Sequence, residues 1–185
     1  MTGAASHTIA RLGIGRTFQL VSVFPRLSAL ENLVTFLQQH QEERFVGRLL
    51  RLPGVRRLEA VAVERAHHLL DSVGLGGARR RPAGSLSYGQ RKLLAFAAAL
   101  MPDPDLVLLD EPAAAVNPTM INQMKEQIRA LHRAGKTVVL VEHNMDVVMD
   151  ISQRVVVLDH GQKIAEGTPE VIRRDPRVIE AYFGS

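Results

Sequence analysis

Hydrophobic positions change their spacing near residue 100: a helical period before it, short unbroken apolar runs after it. Ser28-Ala29-Leu30-Glu31 has the form of a reciprocal capping box, and apolar Leu33, Val34 and Leu37 follow it. The pattern predicts a helix running to about His40. A second helix is predicted from Arg57 to Val73, with Gly74 as its left-handed stop. A loop rich in Gly and Arg follows, Gly74 to Leu86. Ser87-Tyr88-Gly89-Gln90 is a second capping box that opens an apolar helix to Leu100, and Pro102 and Pro104 end it.

Beyond residue 100 the runs Leu106 to Leu109, Val138 to Val141 and Val155 to Leu158 are wholly apolar. Strands apolar on both faces belong in the middle of a parallel sheet covered by helices, and all three are expected there. Between the first two, Asn117 is placed to cap a helix, Pro118 to occupy its first position and Gly135 to stop it. Asp159-His160-Gly161 reads as a hairpin turn into Gln162 to Ala165. Thr168-Pro169 opens a short helix, and a last one is expected from about Pro176 to Tyr182. The chain contains no internal repeat and no low-complexity linker. It is therefore α/β with a helical region in its first half. Open α/β sheets bind ligands beyond the carboxyl ends of their strands, so the residues after Leu109 and Val141 come into focus.

Composition narrows the function classes. A chain of 185 residues can bury one substantial core. With no cysteine, disulfides and thiolate metal sites are excluded. No apolar run approaches the roughly 18 residues of a membrane span, and MTGAASHTIARLGIG has no signal-peptide core. Net charge is a modest +4, with arginines clustered at Arg56-Arg57 and Arg79-Arg80-Arg81. Aromatics are 4% and are not interleaved with the basic residues, which argues against a nucleic-acid partner and for solvated loop charges.

Candidate chemistry sits at the expected strand ends. Asp110 is badly placed for packing but well placed to hold magnesium near phosphates. Glu111 points elsewhere, because side chains alternate, and could polarise an attacking water. Alone, the pair reads more readily as an acidic loop after a strand. His143, after the second run, could hydrogen-bond a transferring phosphoryl group or its attacking water; a lone histidine is more often structural. The Ser87 box lies at a helix start, where free N–H groups and the dipole attract anions, and Gly89 leaves room for a phosphate; the plain alternative is an ordinary cap. Gln19 is an amide that could bind magnesium or water, and is unremarkable by itself.

Taken in order, these features resemble the ATP-binding-cassette ATPases. Gln19 matches their Q-loop glutamine, and Leu86-Ser87-Tyr88-Gly89-Gln90 their signature motif, with Tyr88 where glycine is commoner. Leu106 to Asp110 matches the Walker B strand, Glu111 the catalytic glutamate, Ala114-Ala115-Val116-Asn117 the D-loop and His143 the switch histidine. Ala10 to Gln19, Glu111-Pro112-Ala113-Ala114, and the tail from Gly167 to Tyr182 look like the ATPase subunits of branched-chain amino acid importers. The Arg44 to Arg57 segment suggests the subunit type with a longer helical region. The resemblance spans essentially the whole chain. Ala98 departs from it, standing where arginine is frequent.

The resemblance implies a partial P-loop NTPase fold of the ABC type, a parallel-sheet core plus a helical subdomain. Residues 1–100 would carry the Q-loop and helical subdomain ending in the signature helix. Residues 101–166 would form the RecA-like α/β core, and 167–185 the C-terminal helical extension. It implies ATP and Mg2+ as cofactors, with Asp110 and Gln19 on the metal, Glu111 and His143 catalytic, and Leu86 to Gln90 with Asn117 acting on the ATP of a partner subunit. Implied partners are a second ATPase subunit in a homo- or heterodimer, transmembrane permeases and, indirectly, a periplasmic or extracellular substrate-binding protein. The place would be the cytoplasmic face of the plasma membrane, peripherally.

The family pattern also sets a P-loop, G-x-x-x-x-G-K-[ST], before the glutamine loop, and the 18 residues preceding Gln19 do not make it. The expectation is a chain cut off before its N-terminal β-subdomain, unable to hydrolyse ATP by itself. The competing reading is a non-hydrolysing docking module. Gly135-Lys136-Thr137 is a decoy: Ala130 stands where glycine is required, and the triplet leaves a helix for a strand instead of the reverse. Soluble cassettes acting on DNA or ribosomes carry paired cassettes or coiled-coil insertions, and neither is present.

Overall fold

The structure, a computed structural model, describes residues 13–17, 23–39 and 53–183. Gln19 and most of the Arg44 to Arg57 segment lie outside the described residues. The chain forms two compact units, Met1–Val141 and Glu142–Ser185.

In the first unit, α1 (Ala29–Gln39) opens on the expected box. The Ser28 amide donates to the Glu31 carboxylate at 2.7 Å and the Glu31 amide to Ser28 Oγ at 3.2 Å. The Ser28 hydroxyl, which also donates to that carboxylate at 2.7 Å, and then the Ser28 amide hold the Glu31 carboxyl below its ordinary pKa. Buried Asn32 fixes the entry to this helix. Its Oδ1 accepts from the Phe24 amide at 2.7 Å, and its Nδ2 donates to the Phe24, Leu27 and Ser28 carbonyls. Helix α2 (Pro53–Ser72) begins four residues before the expected Arg57, because Pro53 can occupy a first position where no N–H is needed. Gly74 follows it with φ +73°, as its left-handed stop requires. Helix α3 (Tyr88–Leu100) brings Leu93, Leu94 and Phe96 into a core with Leu33, Leu70 and Leu75, each less than 2% exposed.

Three strands form a parallel sheet in the order β1 (Ile14–Arg16), β2 (Leu106–Asp110), β3 (Thr137–Val141). Ile14 pairs with Leu106, and Asp110 with Val141. Strand β1 was not expected from the hydrophobic pattern. Helix α4 (Pro118–Arg133) links β2 to β3 and buries Met124 and Ile128. One face of β3 departs from the expected double burial: Val139 and Val141 are 46% and 59% exposed.

The second unit holds α5 (Met145–Ile151), the hairpin β4 (Val155–Asp159) and β5 (Gln162–Gly167), then α6 (Pro169–Ile172) and α7 (Pro176–Phe183). The expected turn is present. His160 and Gly161 both have positive φ, as a two-residue hairpin loop following the right-handed strand twist requires. The expectation that Val155 to Leu158 lies inside the parallel sheet is corrected. Among the described residues β4 pairs only with β5, antiparallel, and Val156 and Leu158 are exposed. Met149, Val155, Ala165, Ile172 and Val178 make this unit's own core.

Candidate functional site

Strand β2 delivers Asp110 and Glu111 where its ladder ends. The Asp110 amide donates to Thr17 Oγ1 at 3.3 Å, and the Thr17 amide to the Leu108 carbonyl at 2.9 Å, so the residue after β1 fastens the last rung. The Asp110 carboxylate is partly exposed, 3.8 Å from the Arg16 guanidinium. Glu111 leaves the strand with φ +44°, a conformation that costs a residue other than glycine about 1–2 kcal/mol. Its amide donates to the Val141 carbonyl at 2.9 Å, and its carbonyl accepts from Lys92 Nζ at 2.8 Å. The turn continues through the Ala114 amide onto the Glu111 carbonyl, and Ala115 takes a second positive φ. Asn117 then caps α4 by accepting from the Met120 amide at 2.9 Å.

The Ser87 box is reciprocal: Ser87 Oγ accepts from the Gln90 amide at 3.2 Å, and Gln90 Oε1 from the Ser87 amide at 3.0 Å. Leu86 is buried, and its carbonyl accepts from Arg91 at 2.6 Å. A Cβ on Gly89 would lie 3.1 Å from Met120 Sδ. Gly89 therefore lets α3 approach the start of α4. Tyr88 is half-exposed, with the Arg91 and Lys92 cations 5.9 and 5.7 Å from its ring centroid.

His143 belongs to the second unit. The Glu142 carboxylate accepts from the His143 and Asn144 amides, Asn144 caps α5, and the Tyr182 hydroxyl donates to the His143 carbonyl. The structure thus brings Asp110 and Glu111 together and ties them to α3. Gln19 lies outside the described residues. The decoy is occupied otherwise: Gly135 turns the chain with φ +80°, and Lys136 pairs with Asp105 at 3.1 Å, a bond that raises its pKa. Lys92 was missed. Its place four residues after Tyr88 puts both on one helical face, but nothing in the pattern links it to Glu111.

Parallel strands with a carboxylate pair at the end of the middle one fit part of a P-loop nucleoside-triphosphatase fold, and the solved ATP-binding cassettes share that fold with this chain. More narrowly, the chain belongs to the ABC transporter family, which matches residues 2–114. The family of the branched-chain amino acid ATP-binding cassette transporter matches residues 162–185. The chain is 43% identical over 183 residues to the high-affinity branched-chain amino acid transport ATP-binding protein BraF of Pseudomonas aeruginosa, covering 98% of itself and 72% of that protein. It is 38% identical over 185 residues to LivG of Escherichia coli, covering 100% of itself and 72% of LivG. Its fold is similar to a nucleotide-free ATP-binding cassette from an ABC transporter (TM-score 0.78, 31% identity, 100% of this chain and 74% of that one). It is also similar to the dimeric cassette MJ0796 bound to ADP and Pi (TM-score 0.69, 27% identity, 87% and 65%).

Proposed function

We propose that this chain supplies the catalytic strand and signature helix of the ATP-hydrolysing subunit of an importer for branched-chain amino acids. The observation that carries the reading is Glu111, held at the end of β2 in a left-handed conformation beside Asp110. Backbone strain of this kind persists where the surroundings over-determine it, often where a side chain must be aimed. Glu111 polarises the attacking water, and His143 hydrogen-bonds the transferring phosphoryl group. Leu86, Ser87, Tyr88, Gly89 and Gln90, with Asn117, face the ATP of a second ATPase subunit; the dimeric cassette supports that pairing.

The donor set fits magnesium. Among the described residues no cluster of three metal-binding side chains exists, but Mg2+ bound with substrate phosphates needs only one or two carboxylates. Asp110 offers a partly exposed one, and Gln19 would add an amide oxygen. Magnesium, when bound, neutralises phosphate charge. The BraF and LivG names support the amino acid substrate, and the tail match supports the same transporter type. The implied neighbours are permeases and a substrate-binding protein, with the subunit peripheral on the cytoplasmic face; among the described residues no helix is long and apolar enough to cross a membrane.

The test is ATP turnover by the assembled transporter, with this chain preceded by a segment that carries a P-loop, with and without Glu111→Gln. Removal of the base should lower kcat by about a hundredfold or more while ATP still binds. Undiminished turnover would sink the assignment.

A further inference from the structure

The bond from Lys92 to the Glu111 carbonyl is left unused by the mechanism above. Lys92 lies in the second turn of α3, four residues beyond Tyr88, and is half-buried. Its ammonium reaches across 19 residues of sequence to the backbone of Glu111, the residue of positive φ that directly follows β2. The Tyr88 ring, 5.7 Å from the ammonium, helps to hold the side chain on this face of the helix, but the Glu111 carbonyl is the oxygen it donates to at 2.8 Å.

We propose that Lys92 is a positioning residue for Glu111. The left-handed backbone of Glu111 is fixed at both ends: its amide on Val141 of β3, its carbonyl on Lys92 of α3 at 2.8 Å and, more loosely, on the Ala114 amide at 3.3 Å. The first anchor ties Glu111 to the sheet. The second ties it to the helix whose first residues, on the reading above, serve the nucleotide of the partner subunit. One side chain therefore joins the two halves of the chain's catalytic duty. A rotation of the first turns of α3 moves the ammonium and, through it, the peptide that aims the carboxylate. The charge matters because a cationic donor makes the stronger hydrogen bond to a carbonyl. This inference rests on the catalytic reading of Glu111.

The experiment compares Lys92→Met and Lys92→Arg in the assembled transporter. Methionine keeps the apolar stem and removes the donor; arginine keeps a cationic donor. We expect Lys92→Met to lower kcat about tenfold, the loss of one charge-assisted bond, with KM for ATP unchanged. Lys92→Arg should recover most of the loss. Hydrogen exchange gives a readout independent of turnover: amides of residues 111–116 should exchange faster in Lys92→Met, while residues 60–100 keep their protection. Exchange that rises throughout 60–100, or a kcat loss that arginine does not relieve, would make Lys92 a structural residue and overturn the inference. Normal kcat in Lys92→Met alongside an inactive Glu111→Gln would overturn this inference alone. An active Glu111→Gln would instead overturn the catalytic reading beneath it.

Discussion

The two units carry candidate chemistry on different kinds of support. In the first, Asp110 and Glu111 end a strand paired on both sides, backed by a core with Leu33, Leu70, Leu93, Leu94 and Phe96 almost wholly buried. In the second, His143 precedes a seven-residue helix beside a two-stranded hairpin, and Ile172 is its one large side chain that is fully buried among the described residues. A two-stranded hairpin is marginal by itself and needs helices packed on it. The carboxylate pair therefore sits on a rigid frame, while the histidine sits on one whose stability depends on a few contacts.

Truncating the larger core should have the largest effect. Phe96→Ala removes a buried aromatic ring and should destabilise the first unit by about 3–5 kcal/mol, seen as a lowered midpoint of chemical denaturation. Ile172→Ala should lose about 2–5 kcal/mol, toward the lower end because the small unit relaxes around the gap. Its distinguishing sign is local: amides of residues 145–178 should exchange faster while 60–100 stay protected. Equal exposure of both regions would show that the two units unfold together and would erase the contrast.

The smallest expected effect is at Asp175, whose carboxylate accepts from the Arg177 amide and guanidinium at the start of α7. The Arg177 bonds hold its pKa below the ordinary value. A carboxyl with a lowered folded pKa stabilises above its unfolded pKa, and that contribution is lost as pH falls through the folded value. Asp175→Asn should therefore melt slightly below the native protein at neutral pH, and the two should converge only once the pH has fallen through the lowered folded pKa, beneath the ordinary carboxyl value of about 3.9. A difference that persists in acid would remove the ionised pair from the account.

Legibility in the sequence followed the same divide between local and distant causes. The Ser28 and Ser87 boxes, the Gly74 and Gly135 stops and the His160-Gly161 turn were readable because each is settled within a few residues. Leu106 to Leu109 and Val138 to Val141 were correctly placed in a parallel sheet. Val155 to Leu158 looks the same in one dimension, yet it forms a hairpin; the turn that follows it was the better guide to its partner than its apolarity. Strand β1 is only Ile14, Gly15 and Arg16, too short for any period to show. Asp110 and Glu111 stood out as carboxylates after an apolar run. Their supports, Thr17 and Lys92, did not, since hydrogen bonds to residues 93 and 19 positions away exist only once the chain is folded.

The Tyr182 hydroxyl on the His143 carbonyl joins residues 39 positions apart. Translation runs in one direction, so the histidine leaves the ribosome first and waits. At about 5–20 residues per second the wait is roughly 2–8 s. Ile172 and Val178, which complete the core beneath α5, arrive in the same interval. During it the nascent chain already holds every residue of the parallel sheet and the whole of α3. The histidine segment is thus completed after the strand that carries the carboxylates, because its contacts come from residues 172 to 182.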